Sequence, residues 1–398
     1  MRRATIHMDE GVARARITRC CVFVAWAFLL AGRGALAEAE MITPDGRAVR
    51  GQVRFSGGRV TVGDATVPVN RLVSLRLSDI PIARTLDQGV SLWSGDVISG
   101  TVENAQSGKL RLTSDHFGAL ELPVASVRAI ALMPQRIAEL TGADHVEPGA
   151  VMTNGDSVSG KLEWINERLV GVDAGRRIVR VPRGRTSLIR VASGNGAGKI
   201  PAESTQYVRM NSGDRVSGRL VALSSKALAI QTPYAGRVTI PRSLVREVWS
   251  EGGDLVPLSA LEPAGVTSTP LFDERFPHGI DRSVVGEFLA VNGHTYERGI
   301  GCHSRCEVEF DIGGRYGSLV AEIGIDDGAG GRGGVVFEVY ADNRRVFQSP
   351  AVRGGQDARV VSVELGRARR VKLVADYGPD GTSWGDHADW CRTVLVRR

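Results

Sequence analysis

This chain has no apolar run long enough to cross a bilayer, no basic stripe after its first residues, few cysteines and none of the common catalytic motifs. Its run Cys20–Ala31 holds 12 residues, against about 20 for a membrane-spanning helix. Six arginines and two acids fall within residues 1–37, so 44 basic face 42 acidic side chains in the remainder. Without clustered Lys or Arg, nucleic acid is excluded as a partner. No spacing of the five cysteines and seven histidines forms a zinc site. There is no β/α alternation, no nucleophile elbow, no HExxH and no dinucleotide turn, which argues against an enzyme. Two glycosidase carboxylates could be picked from any chain this acidic, and without a scaffold they mean nothing.

What is present begins with a leader. Arg14, Arg16 and Arg19 precede the apolar run, and Ala35-Leu36-Ala37 follows it. That is the order of a secretory signal, with cleavage near Ala37 and no stable span afterwards. The expected location is secreted, periplasmic or cell envelope. Cys20 and Cys21 would leave with the leader, and export permits one disulfide among Cys302, Cys306 and Cys391. If residues 302–306 form one strand, Cys302 and Cys306 lie about 13 Å apart. The pairing is then Cys391 with Cys302 or Cys306.

Between residues 41 and 250 the sequence repeats itself four times. Two glycines stand five apart in Gly46…Gly51, Gly95…Gly100, Gly155…Gly160 and Gly213…Gly218, and a proline follows in an apolar setting at Pro68, Pro123, Pro182 and Pro241. Short β-prone runs such as Val208-Arg209-Met210 and Val238-Thr239-Ile240 flank Gly-Asp turns, so each unit reads as a five-stranded meander closed into a small barrel. The pattern loosely resembles SH3-like or Sm-like barrels, a fold that says little about function. The Gly-Asp turns lack the lysine of a P-loop and the carboxylate series of a calcium loop, and read as turn geometry. The repeats are expected to serve as spacers or as contacts for other envelope proteins.

Composition changes near Glu251-Gly252-Gly253. From there, clean alternation in Cys306–Ile312, Leu319–Ile325, Val335–Tyr340, Val360–Leu365, Val371–Ala375 and Thr393–Val396 predicts a β-sandwich. Val256 to Pro263, Gly299-Ile300-Gly301-Cys302-His303-Ser304, Gly324-Ile325-Asp326-Asp327, Gly334 to Val339 and Asp386-His387-Ala388-Asp389-Trp390 occur in an order that resembles the NPCBM family. Cys302 and Ser304 depart from the family's pattern. The resemblance implies a galactose-binding-like jelly roll, a module commonly appended to glycoside hydrolases or large secreted proteins, with sugar recognition as its activity.

The expected fold class is all-β, tandem small barrels followed by this sandwich. The expected divisions are 1–37 leader, 38–82 a shortened repeat, 83–140, 141–200 and 201–252 further repeats, and 253–398 the sandwich. A sugar site needs planar or carboxylate groups beside an aromatic plate. The stretch 380–390 supplies both, making Trp384, Asp386, His387, Asp389, Trp390 and, upstream, His303 the candidates. Each also has a plain structural reading, with Trp390 as core and Trp384 the better plate. No cofactor is required. Asp326 and Asp327 open a Gly-rich loop that could hold a structural calcium, but the ligand count is short and a plain hairpin turn is the stronger reading. The functional expectation is an exported, non-catalytic protein that binds a polysaccharide or glycoconjugate. The alternatives are an envelope scaffold without sugar binding and, ranked below it, an accessory part of a glycoside hydrolase system.

Overall fold

Apolar residues at every second position make strands wherever one face can be buried. In Lys109–Ser114 burial alternates strictly, with Leu110 and Leu112 inward, and in Gly236–Pro241 the inward pair is Val238 and Ile240. A computed structural model describes residues 38–141, 147–191, 201–271, 276–379 and 381–398, and in them such strands dominate; the leader expected at residues 1–37 lies outside them. Among the described residues no helix is long and apolar enough to cross a membrane.

Four successive segments, 39–76, 89–131, 149–190 and 205–251, repeat one path: several antiparallel strands, a three-residue 3-10 turn and a last strand. Pro68, Pro123, Pro182 and Pro241 each stand directly before that 3-10 turn, where their fixed φ sets its entry. The last strand returns to the first in every segment, through Met41↔Leu75, Val90↔Ile130, Ala150↔Ile189 and Val208↔Val248. This closure pairs edges that would otherwise be bare. The second glycine of the repeat marks the bend of the second strand. At Gly218, φ is +158° and a Cβ would sit 2.1 Å from the Gln231 carbonyl oxygen, so no larger residue fits.

The segments do not stack in sequence order. The last strand of the second pairs with that of the third, Ile130↔Ile189, and the last strand of the fourth with that of the first, Val248↔Leu75. One apolar core accordingly joins segments one and four, and another joins two and three. The Gly-Asp turns tie the two pairs together. Asp214 accepts hydrogen bonds from the Ser99 amide at 2.7 Å and its hydroxyl at 2.8 Å, while Asp96 accepts from Ser217 Oγ at 3.0 Å. The turns of segments two and four therefore exchange the same Asp-to-Ser contact, which accounts for the recurring Gly-Asp…Ser-Gly spelling there.

The last third is a sandwich of two antiparallel sheets. One contains Gly299–His303, His387–Arg397, Tyr316–Ile325 and Arg359–Glu364, with Leu255–Pro257 on Val394–Val396. The other contains Gly265–Ser268, Cys306–Asp311, Arg370–Tyr377, Gly334–Ala341 and Arg344–Gln348. Between them lie Phe310, Phe337, Leu373 and Trp390.

The repeats pack against this sandwich. Residues 38–398 form one compact unit. Ile42 and Val73 meet Val320, Val394 and Val396. Beside them Arg392 bridges Glu247 at 2.5 Å and Glu322 at 3.3 Å, and Arg76 reaches Glu322 at 3.2 Å and Glu40 at 2.7 Å. Burial alone would raise the Glu247 carboxyl, but Arg392 and Arg76 outweigh it and hold its pKa at about 2. A lowered folded-state value means that this carboxylate stabilises the fold above its ordinary pKa of 4.5 and ceases to do so as pH falls towards 2. Chemical denaturation across that window should show a loss of about 3 kcal/mol from this group, and Glu247→Gln should flatten the slope.

Candidate functional site

The final strand begins at His387, not Thr393. Strand geometry sends alternate residues to opposite faces, so Ala388 and Trp390 enter the core, while Asp389 and Cys391 are buried on the other face. Trp390 is 0% exposed and meets the Phe337 ring edge-on at 5.0 Å. Asp386 is equally buried. It accepts from the Gly334 amide at 2.8 Å and from Ser304 Oγ at 2.5 Å, joining strand Gly299–His303 to strand Gly334–Ala341. Asp389 lies near Asp326, and burial together with that neighbour pushes its carboxyl well above the ordinary range. Trp390, Asp386 and Asp389 are therefore corrected from sugar contacts to interior supports.

His303 is nearly buried. It stacks on Phe276 at 4.0 Å and its Nδ1 bonds the Ser304 carbonyl at 2.9 Å, so it too braces the loop rather than lining a surface. His387 is half-buried, 5.7 Å from His303, and burial followed by that neighbouring ring lowers its pKa, leaving it neutral at physiological pH. Phe276, which organises both histidines, has no sequence signal, since it stands far from either along the chain.

Trp384 is placed differently. Its side chain is 74% exposed, and the Arg332 guanidinium sits 4.9 Å from the ring centroid. Arg332 is itself held by a bond from Nε to the Ala329 carbonyl at 3.1 Å. The loop that carries it passes against the Trp384 loop with no room for a side chain at the crossing: a Cβ on Gly333 would lie 2.0 Å from the Gly385 carbonyl oxygen. A third loop joins them through the Gly354 amide on the Gly333 carbonyl at 3.2 Å. The result is a broad apolar plate at a rim of glycine-rich loops, braced from beneath by buried Asp386. Arg332 escaped the sequence reading because it sits within the Gly-rich run 328–334, which spells flexibility rather than a site.

That run is ordered by its two aspartates. Asp326 accepts from the Gly328 and Ala290 amides at 2.9 and 3.0 Å, and Asp327 from Gly293 at 2.9 Å. Their oxygens cap backbone donors, and no cluster of three His, Cys, Asp or Glu suited to a metal occurs among the described residues. Turn capping is the role these two carboxylates fill here. The disulfide expectation changes. The three cysteines are free and buried. The chain turns between His303 and Cys306, placing Cys302 and Cys306 in opposite sheets that face one core, whereas Cys391 points to the other side of its strand. Cys391 therefore pairs with neither.

Residues 256–396 form an NPCBM/NEW2 domain. Two curated relatives each match about a quarter of the chain. One, from Renibacterium salmoninarum and provisionally named endo-alpha-N-acetylgalactosaminidase, is 35% identical over 106 residues, which is 26% of this chain and 7% of the relative. The other, alpha-1,3-galactosidase B of Akkermansia muciniphila, is 33% identical over 115 residues, 28% of this chain and 14% of the relative. The chain thus spans a small part of either enzyme. Among solved structures, the CBM51 module of a Clostridium perfringens GH95 protein, in complex with methyl-galactose, is 27% identical with a TM-score of 0.32, covering 36% of this chain and 99% of its own. The second CBM51 module and INT domains of Clostridium perfringens ZmpB, with GlcNAc, are 19% identical with a TM-score of 0.33, covering 46% and 44%. The NPCBM domain begins within Leu255–Pro257, which pairs with the chain's final strand.

Proposed function

We propose that this chain is an exported, non-catalytic glycan-binding protein that docks sugar rings on Trp384 at the loop rim of its NPCBM domain. The exposure of Trp384 carries this reading. A large indole left in water, fixed by Arg332 and by loops crossing at glycines, costs solvation unless a partner covers it, and the apolar C–H face of a sugar is suited to do so. The repeats supply a rigid platform, and the same faces can meet other envelope proteins. Because the two curated relatives bear names of enzymes acting on galactosamine and galactose linkages, terminal galactose and N-acetylgalactosamine are the first ligands to try.

The test is a glycan array probed with full-length wild type and Trp384→Ala. Retention of a galactose-type glycan by the wild type, weakened about tenfold in the variant, a change of about 1.4 kcal/mol, supports the proposal. Equal binding by both proteins moves the site elsewhere. Retention of no glycan at all favours an envelope scaffold, the second reading, for which the burial of Asp386, Asp389 and Trp390 speaks because it removes polar groups from the rim.

A further inference from the structure

A crevice of about 1070 Å3 opens where the second and fourth repeats meet the sandwich, apart from the Trp384 rim. Its wall includes Trp93, Tyr207 and Phe288, three aromatic side chains from three different segments. Four arginines also line it, and three carboxylates, Glu262, Asp281 and Glu297. Two of the carboxylates are already committed. Glu297 pairs with Arg209 and Arg215, and Asp281 pairs with Arg298 at 2.8 Å while accepting the Gly299 amide. Glu262 stands exposed at the edge.

Among the described residues Arg282 makes no ion pair, although the Asp281 and Glu287 carboxylates lie near enough to attract it. Its Nη1 donates to the Asp281 carbonyl at 2.7 Å, and its Nη2 to the Ala138 carbonyl and Thr141 hydroxyl, each at 3.2 Å. All three acceptors are neutral. The nearby Glu287 is bound by Arg136. The guanidinium lies over the Phe288 ring, 4.7 Å from its centroid, with donors to spare. Ser259, buried in the same wall, has a hydroxyl with no hydrogen-bond partner.

A cation outside any ion pair and the indole of Trp93 within one crevice form the donor set for a saccharide that carries its own negative charge. We infer that this crevice is a second binding site, for an acidic oligosaccharide whose carboxylate meets Arg282 and whose ring face meets Trp93. Its volume admits several linked sugar rings, where the Trp384 rim offers a single plate. The inference is independent of the Trp384 proposal, because the residues and the ligand chemistry differ.

Calorimetric titration of the full chain with oligogalacturonate tests it, with a neutral galactose oligosaccharide and poly-L-glutamate as comparisons. The expected result is binding of the uronate that weakens with added salt and falls at least tenfold in Arg282→Gln and in Trp93→Ala, while Trp384→Ala leaves it unchanged. Arg282 also holds the Ile137–Leu140 turn, so its variant is expected to lose stability as well; Trp93→Ala, whose indole makes no hydrogen bond, then decides. Absence of uronate binding, equal binding by Trp93→Ala, or equal affinity for polyglutamate would overturn the inference. Loss in Trp384→Ala alone would assign the acidic sugar to the rim and overturn it likewise.

Discussion

Arg392→Met should destabilise the protein by about 3–5 kcal/mol, measured by urea denaturation at neutral pH. The guanidinium is buried and joins two carboxylates from different parts of the chain, Glu247 on the last strand of the fourth repeat and Glu322 within the sandwich. Methionine keeps much of the volume but leaves those carboxylates in a medium that solvates them poorly. Arg76 still faces Glu322 at 3.2 Å and attracts Glu247 without a hydrogen bond to it, so Glu247, with Ser74 Oγ as its remaining hydrogen-bond donor at 2.7 Å, bears most of the loss. Adding Glu247→Gln to Arg392→Met should accordingly recover a large part of the stability, because the uncompensated charge is gone. A double variant no more stable than the single one would show that Arg392 acts by packing against Trp249 and Tyr296 rather than by charge.

This network also shows where reading the sequence stopped. Strand alternation in Cys306–Ile312 or Val335–Tyr340 is a local signal, and the strands stand there. The first-to-last closure of each repeat follows from edge protection in a short meander. Which repeat would pair with which is not local. The nested order, one with four and two with three, depends on which last strands meet, and neither Val127–Ala131 nor Thr186–Arg190 carries a local signal for its partner. Arg392, Glu247 and Glu322 each look like ordinary polar positions until the fold places them together.

The site was legible in part, for a reason visible in one strand. Asp386-His387-Ala388-Asp389-Trp390 puts one acid just before and one within a buried strand, where apolar residues are usual, so it reads as loop. The fold tolerates them because Asp389 is buried beside Asp326, where its carboxyl is pushed towards the neutral form, and Asp386 is satisfied by Gly334 and Ser304. Trp384 carries no such contradiction: Ser383 and Gly385 flank it, and it stays in water.

The two tryptophans should therefore separate cleanly. Trp390→Ala removes a fully buried indole from between the sheets and should cost about 3–5 kcal/mol, as large-to-small changes in a packed core do. Trp390→Phe should cost far less: the ring still reaches Phe337, and the indole N–H, which has no hydrogen-bond partner, disappears with it. Trp384→Ala should change stability by no more than about 0.5 kcal/mol, since little surface is uncovered. Denaturation curves give the first set of values and glycan binding below the unfolding transition gives the second. Binding should follow the opposite order, kept by Trp390→Phe and lost by Trp384→Ala. If Trp390→Phe, still folded, lost binding as fully as Trp384→Ala, the plate would depend on the strand behind it, and the rim could not be treated as a site carried by its loops.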